Sequence, residues 1–477
     1  MPLILGANSV SGYTVKNSLR FNSASSDYLS RTPASATNRT TWTYSSWVKR
    51  SSLSSQQSIF SAQSTTTANL FYCGFTSGDK LFFYHYSSSG AVTDSYLDTT
   101  QLFRDVSAWY HIVIAVDTTQ ATSSNRTKIY VNGNQITALD NSAYFSQNFS
   151  TYVNTTNQHR LVSSPDNANF FNGYTAESYL IDGIQLTPSS FGETDTLSGI
   201  WIPKAYTGSY GTNGFYLQFK NSASLGTDSS GNGNTFTVNN LTSVDQSTDT
   251  PTNNFNTLNP LIRLGSNFSS PTEGNLSLSS SGTGDSGFFA STIIPSAGKW
   301  YFEVKTTVVS SSDRTKISIA NFESVTGTDN IENGNYKGIS VSTGTFGRIA
   351  VTDGATTTEF DVAGYVPVAN DIMIFAVDMD NSRVYIGKNG TWFTTTASSG
   401  GNPATSTGFF SPVLGNGFAV GAGHSAGTSV SATHQFNFGS PMYSANSYTD
   451  GAGYGNFSYA VPSGYYSLNT KNLADYG

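Results

Sequence analysis

Apolar residues along this chain return at every second position, and helical spacing is hard to find. Leu19 and Phe21 share a face, and Trp42, Tyr44 and Val48 share the next. Further on, Trp300, Phe302 and Val304 point one way while Tyr301, Glu303 and Lys305 point the other. Period-two alternation sets one side of a strand against a core and the other against solvent or a second layer. Residues 81–86, an almost unbroken apolar and aromatic run, read as a further strand. No window of eleven or more residues sustains the i, i+3, i+4, i+7 pattern of an amphipathic helix, and Gly, Asn and Ser punctuate the breaks. The expectation is an all-β protein of sandwich type.

Two stretches, residues 109–136 and 371–393, share a frame. Each has an apolar run ending Ala-Val-Asp (at Asp117 and Asp378), a loop, and a basic residue (Lys128, Arg383). An apolar-Tyr-apolar triplet centred on Tyr130 or Tyr385 follows, then Asn132-Gly133 or Asn389-Gly390. A run of five or six apolar residues suits a strand buried on both faces. Asn-Gly suits a type I′ hairpin turn, where both central residues need positive φ. The joint frame predicts an internal structural repeat: two similar β-sandwiches in tandem.

Taken in order, residues 1–190 form the first unit. Residues 191–260 read as a connector with a strand around Phe215, Leu217 and Phe219, a turn at 228–234, and an extended Ser/Thr/Asp/Asn/Pro-rich linker over 243–260. The second unit spans 261–440. A Gly/Tyr-rich tail, 441–477, is expected to fold back onto the body through Pro462-Ser-Gly-Tyr-Tyr.

Composition narrows the picture. Hydrophobic residues make up 37% and aromatic ones 13% of 477 residues, enough to bury cores of this size. Charged residues are only 11%, against about 25% in ordinary soluble domains, so the surface is hydrated but electrically quiet. Net charge is −7 with no Lys/Arg cluster, so neither nucleic acid nor an anionic membrane surface is an expected partner. Cys73 is the single cysteine and sits among Phe71, Tyr72 and Phe75, which suggests a buried strand position and no internal disulfide. No apolar run approaches the roughly 18 residues of a membrane span, and the opening residues 1–6 are too short for a signal peptide.

These residues carry a resemblance. Ser18-Leu-Arg-Phe, Asp27-Tyr-Leu, Thr41-Trp-Thr-Tyr-Ser-Ser-Trp-Val-Lys, Trp109-Tyr-His-Ile-Val, Ile129-Tyr-Val-Asn-Gly and the closing Phe171-Asn-Gly-Tyr make the first unit resemble the laminin-G-like, concanavalin A-like jelly roll. Gly298-Lys-Trp-Tyr-Phe-Glu-Val, Lys337-Gly-Ile-Ser, Tyr385-Ile-Gly-Lys-Asn-Gly-Thr-Trp and Phe436-Asn-Phe-Gly make the second similar to a SPRY domain. Pro188-Ser-Ser-Phe-Gly-Glu-Thr-Asp, Gly199-Ile-Trp-Ile-Pro-Lys, Tyr210-Gly-Thr-Asn-Gly-Phe-Tyr-Leu and Asp228-Ser-Ser-Gly-Asn-Gly-Asn occur in an order that resembles virion proteins of tailed bacteriophages, marine and cyanobacterial ones especially. Such sandwiches host many unrelated roles, so the likeness speaks to fold before function.

Candidate chemistry is sparse. Concanavalin-like glycosidases need two carboxylates facing across a groove. Their Glu-x-Asp-x-x-Glu strand motif is absent, Glu177 and Asp182 fall on opposite faces of one strand, and Glu193 and Asp195 sit among turn residues. Gly423-His-Ser-Ala-Gly427 matches a nucleophile-elbow string, and Gly421-x-Gly423-x-x-Ala426 a dinucleotide fingerprint; strand-like residues follow both where a helix is required. Both read as a Gly-rich hairpin. No catalytic or cofactor-binding residue is therefore assigned. The five histidines are scattered, so no zinc set exists. The jelly-roll resemblance implies rim calcium in many relatives, and Asp228, Asn232 and Asn234, or Asp378 and Asp380, could offer hard oxygens; turn chemistry accounts for them equally well. Sugar-binding aromatics are sought among Tyr206, Tyr210, Trp392, Tyr443 and Tyr448, and no contact is assigned to any of them. Asn38, Asn148 and Asn389 open glycosylation sequons that this composition produces by chance.

The expected function is non-catalytic. It is that of a virion protein, a tail fibre or surface appendage present in many copies or as a homo-oligomer, engaging host-surface glycan or another envelope component. The alternative is a capsid decoration or fibre subunit that grips only other virion proteins.

Overall fold

The computed structural model describes residues 12–63, 69–87, 92–283, 286–309, 315–321, 337–343, 347–354, 356–362, 366–396, 399–424 and 430–477. The alternating stretches become strands in two bodies divided between Thr252 and Asn253.

In the first body the strands are β1 (Ser18–Phe21), β2 (Tyr28–Arg31), β3 (Thr41–Arg50), β4 (Gln57–Gln63), β5 (Leu70–Phe75), β6 (Lys80–Ser87), β7 (Val92–Leu102), β8 (Trp109–Asp117) and β9 (Thr127–Val131). They continue with β10 (Asn134–Gln135), β11 (Leu139–Ala143), β12 (His159–Leu161), β13 (Gly173–Asp182), β14 (Gly192–Thr194), β15 (Trp201–Pro203), β16 (Phe215–Leu217), β17 (Thr237–Asn239) and β18 (Gln246–Ser247). One sheet runs β10-β9-β8-β3-β13-β1-β18, with β16 also on β13; the facing sheet runs β11-β7-β6-β5-β4-β12-β2-β17.

The second body holds β19 (Leu258–Leu264), β20 (Ser277–Gly282), β21 (Ser286–Ile293), β22 (Lys299–Val308), β23 (Thr315–Asn321), β24 (Lys337–Ser342) and β25 (Arg348–Asp353). Then come β26 (Thr356–Asp361), β27 (Ile372–Asp378), β28 (Arg383–Lys388), β29 (Thr391–Trp392), β30 (Phe418–His424), β31 (Val430–Asn437) and β32 (Tyr466–Ser467). Its sheets run β29-β28-β27-β22-β31-β20 and β26-β25-β24-β23-β30-β21-β19.

The two bodies repeat one plan. β10-β9-β8-β3-β13-β1 corresponds strand for strand, and in chain order, to β29-β28-β27-β22-β31-β20, and β7-β6-β5-β4-β12-β2 to β26-β25-β24-β23-β30-β21. Trp42 lies opposite Val116 and Trp300 opposite Val377, and both tryptophans are fully buried. In the first hairpin the His111 N–H donates to the Asn132 side-chain oxygen (2.8 Å); in the second the Ile372 N–H donates to that of Asn389 (2.9 Å). Asn132 and Gly133 have φ of 48° and 84°, Asn389 and Gly390 50° and 81°, as a type I′ turn requires. The chain is an all-β protein of two tandem concanavalin A-like sandwiches.

Alternation decides what each sheet buries. Leu19, Phe21, Trp42, Tyr44 and Val48 fall in one core, Trp300, Phe302 and Val304 in the other, and Cys73 is buried in the first. Tyr301 takes the outer face of its sheet, where Phe457 and Tyr465 cover it; β32 adds to β22.

Residues 191–260 differ from the expected connector. Residues 192–247 add strands to the first body: β16 pairs β13, β17 pairs β2 and β18 pairs β1, while β14 and β15 form a hairpin of their own. The stretch 243–260 is not an extended linker either. It opens with a capped 3-10 turn, Ser243–Asp245, and ends inside β19. The strands β14 to β18 are two or three residues long and draw stability from the partners they join, a tertiary contribution that local composition does not reveal. One helix, α1 (Thr470–Tyr476), also goes beyond the sequence reading; at seven residues it is held by its Asn469 cap and by Leu473 in the core.

Candidate functional site

Strand parity puts Trp42, Tyr44 and Val48 inward and Trp47 outward, where it pairs across the sheet with His111 of β8. Trp109 lies two residues before His111 on the same outer face. The Asn132-Gly133 turn leads to Asn134 beside them, and the β14–β15 hairpin brings Thr194 and Trp201 over the top. Trp47, Trp109, Trp201, Asn132, Asn134 and Thr194 line a recess of about 330 Å³ in the first body, and none of its lining side chains is charged.

The Trp201 indole is wedged into place. A Cβ at Gly133 or at Gly192 would lie 2.6 Å from its ring. Its Nε1–H donates to His111 Nδ1 at 3.0 Å, which leaves His111 Nε2 protonated and donating to Ser45 Oγ at 2.9 Å; the network assigns this tautomer. Trp47 and His111 stack at 4.9 Å and His111 and Trp201 at 6.0 Å, with interplanar angles of 22° and 20°. Burial pushes the His111 pKa down to about 3, so the imidazole is neutral at the centre of this stack. Trp109 is fixed from below: its Nε1–H donates to Asp249 Oδ1 (3.1 Å), and the other carboxylate oxygen takes Lys49 Nζ (2.7 Å). Indole faces beside amide side chains, with no charged side chain in the lining, suit a ligand having both apolar faces and hydroxyl edges.

The acidic residues do not gather there. Glu177 sits at a bulge in β13 with φ of 51°, and one of its oxygens accepts from the hydroxyls of Tyr13 (2.5 Å), Tyr179 (2.6 Å) and Tyr216 (2.6 Å). Burial pushes its pKa up. Asp182 belongs to a separate network with Asn38, Asn154 and Asn213. Glu193 is exposed and pairs with Lys204, and Asp195 closes its own turn through Ser198. In the second body Glu303 is fully buried, binding the N–H groups of Ser458 and Tyr459.

The candidate calcium oxygens are used by the loops that carry them. Asp228 accepts from Ser230 and from the N–H groups of Tyr216 and Asn234, while the Asn232 and Asn234 amides donate to backbone carbonyls. Asp378 takes Lys299 and Asn381, and Asp380 accepts from the Gly298 N–H. Among the described residues no group of three or more His, Cys, Asp and Glu could hold a metal ion. His424 ends β30; Ser425 to Gly427 lie outside the described residues.

The aromatic candidates scatter. Tyr206 and Tyr210 pack around Tyr179 and Phe191, Trp392 lies edge-on to Tyr301, Tyr443 is half-buried, and Tyr448 alone of the five is exposed. The recess residues were not singled out by sequence. The available signal was parity, since Trp47 breaks the face shared by Trp42, Tyr44 and Val48.

Comparison with known proteins agrees with the first body's architecture. A model of the concanavalin A-like lectin/glucanase superfamily, of laminin G type, matches residues 23–189. No curated protein matches the chain. Among solved structures, domains LG4-5 of the mouse laminin α1 chain align at 9% identity over 89% of this chain and 90% of theirs, with a TM-score of 0.29. The SPRY domain of human HERC1 aligns at 10% identity over 38% of this chain and 96% of its own (TM-score 0.28). A Ruminococcus gnavus sialidase module, CBM40, solved with α2,3-sialyllactose, aligns at 16% identity over 33% and 86% (TM-score 0.24). The first body is a laminin G/concanavalin A-like jelly roll.

Proposed function

We propose that this chain is a non-catalytic glycan-binding protein and that its first sandwich holds an uncharged sugar in the Trp47–Trp109–Trp201 recess. The observation that carries this reading is the recess itself: three indoles and two amide side chains around one concavity, without a charged group. Pyranose rings offer apolar faces to indoles and hydroxyl edges to amides, and rigid aromatic walls reduce the ordering cost of binding. No lining residue is an acid, a nucleophile activated by a base, or a metal ligand, which supports binding without turnover.

The setting comes from the sequence motifs. Their likeness to tailed-phage virion proteins leads us to assign the chain to a tail fibre or surface appendage, where many copies make modest single-site affinity sufficient. Other virion proteins are then its assembly partners and host-surface glycan its target. A glycan array probed with the full chain, its Trp201→Ala variant and its Asn134→Ala variant tests this. Saturable signals on neutral glycans that fall at least tenfold in both variants are expected. Equal signals from all three proteins would place binding elsewhere, and an empty array with retention on virion proteins would favour the purely architectural role.

A further inference from the structure

The facing sheet of the first body has an outer side that the recess does not use. Cross-strand register places Tyr72 of β5 opposite Tyr84 of β6, and Tyr84 opposite Tyr96 of β7. Three tyrosines thus form a row across three adjacent strands, perpendicular to them. Their strand neighbours in period two, Phe82 and Tyr86, extend it sideways: Tyr84 stacks on Phe82 at 4.5 Å, and Tyr72 meets Phe82 and Tyr86 at 5.1 and 6.4 Å. Inward-facing neighbours on the same strands, Phe71, Phe83 and Leu97, belong to the core, so parity assigns the tyrosines outward. Phe82 is fully buried and anchors the row, whereas Tyr72, Tyr84, Tyr86 and Tyr96 are only half-buried.

We infer that this tyrosine row is a second binding track, for an extended, uncharged polysaccharide chain. Spacing is the first argument. Adjacent strands lie about 4.8 Å apart, close to the advance of one pyranose ring along an extended chain, so successive rings can meet successive tyrosines. Charge is the second. Tyr84 donates its hydroxyl to Asp98 at 2.5 Å, and the Tyr72 hydroxyl accepts from Gln56 at 3.3 Å. Lys80, at the end of β6, is taken by Asp140. The face therefore offers aromatic surface and hydrogen-bonding groups with an acidic bias, which repels an anionic polymer and accepts hydroxyls from a neutral one. The ligand class follows the glycan-binding reading of the first body, but the track shares no residue with the recess.

Native electrophoresis of the full chain, in gels containing a soluble neutral β-glucan, a galactomannan or alginate, tests it. Retardation by at least one neutral polymer and none by alginate is expected, with Tyr84→Ala and Tyr96→Ala each weakening it at least tenfold while leaving the far-UV spectrum unchanged. If Tyr84→Ala does not fold, Tyr96→Ala decides, because Tyr96 lies outside the core cluster. Retardation that survives the tyrosine changes, retardation by alginate alone, or none in either neutral gel overturns the track. Trp201→Ala run alongside separates the two proposals. Loss there with retention in the tyrosine variants assigns polymer binding to the recess and removes the track; the converse leaves the track standing, and the recess then stands or falls on the glycan array alone.

Discussion

Glu177 and Glu303 are both buried acids whose pKa values burial pushes up, yet they should respond differently to the same change. A carboxyl raised in the folded state contributes stability below its unfolded value, and that contribution is lost as pH rises through the folded one. Above the folded value the charge is therefore a liability. Glu177 uses one oxygen for all three phenols, so Glu177→Gln keeps the acceptor and removes the charge; its melting temperature at pH 7 should match or exceed the parent's, with the gain shrinking towards pH 4. Glu303 accepts N–H or amide donors on both oxygens, so Glu303→Gln sets an amide against donors and should cost about 1–3 kcal/mol by denaturant unfolding. His111 titrates with the opposite sign. Its depressed pKa makes its contribution complete above about 6.5 and lost as pH falls toward 3. His159 and His434, each lowered to about 4 by burial, act in the same direction. Tryptophan emission in the parent chain should hold its wavelength down to about pH 4 and shift to the red as pH falls towards 3. A red shift already complete between pH 7 and 5 would contradict the neutral stack. The sequence showed these acids and histidines only as isolated letters, because their partners lie far away in the chain.

At the scale of elements, the Asn-Gly turns do more than reverse the chain. Gly133 leaves room for Trp201 and Gly390 for Tyr459, whose ring would lie 2.8 Å from a Cβ there. Either glycine changed to Ala places a side chain at a φ above 80°, costing about 1–3 kcal/mol in strain. The local outcomes should differ. Gly133→Ala displaces Trp201 and raises acrylamide quenching, whereas Gly390→Ala moves Tyr459 and leaves quenching at the parent level; equal quenching in both would contradict the wedge. Both hairpins were legible from apolar runs and Asn-Gly pairs. The β14–β15 hairpin was not, because Gly192–Thr194 and Trp201–Pro203 carry no alternation long enough to read. That one omission hid the recess, whose other walls stood on strands already recognised.

For the whole molecule, the duplicated plan was legible because two buried hairpins must carry similar residues wherever the same topology recurs. Where the first body ends was not legible. The strand at Phe215–Leu217 was legible but the sheet it joins was not, and β17 and β18 are too short and too polar to be told from a linker until they pair. In the proposed function the first of two similar sandwiches holds a sugar in a recess walled by three of the chain's six tryptophans. The indole N–H resonances of the full chain, followed while a neutral oligosaccharide identified on the array is titrated in, test it directly. The signals of Trp47, Trp109 and Trp201 should shift together and saturate, while those of Trp42, Trp300 and Trp392 stay fixed. Shifts confined to Trp392, or none at all, would contradict the account.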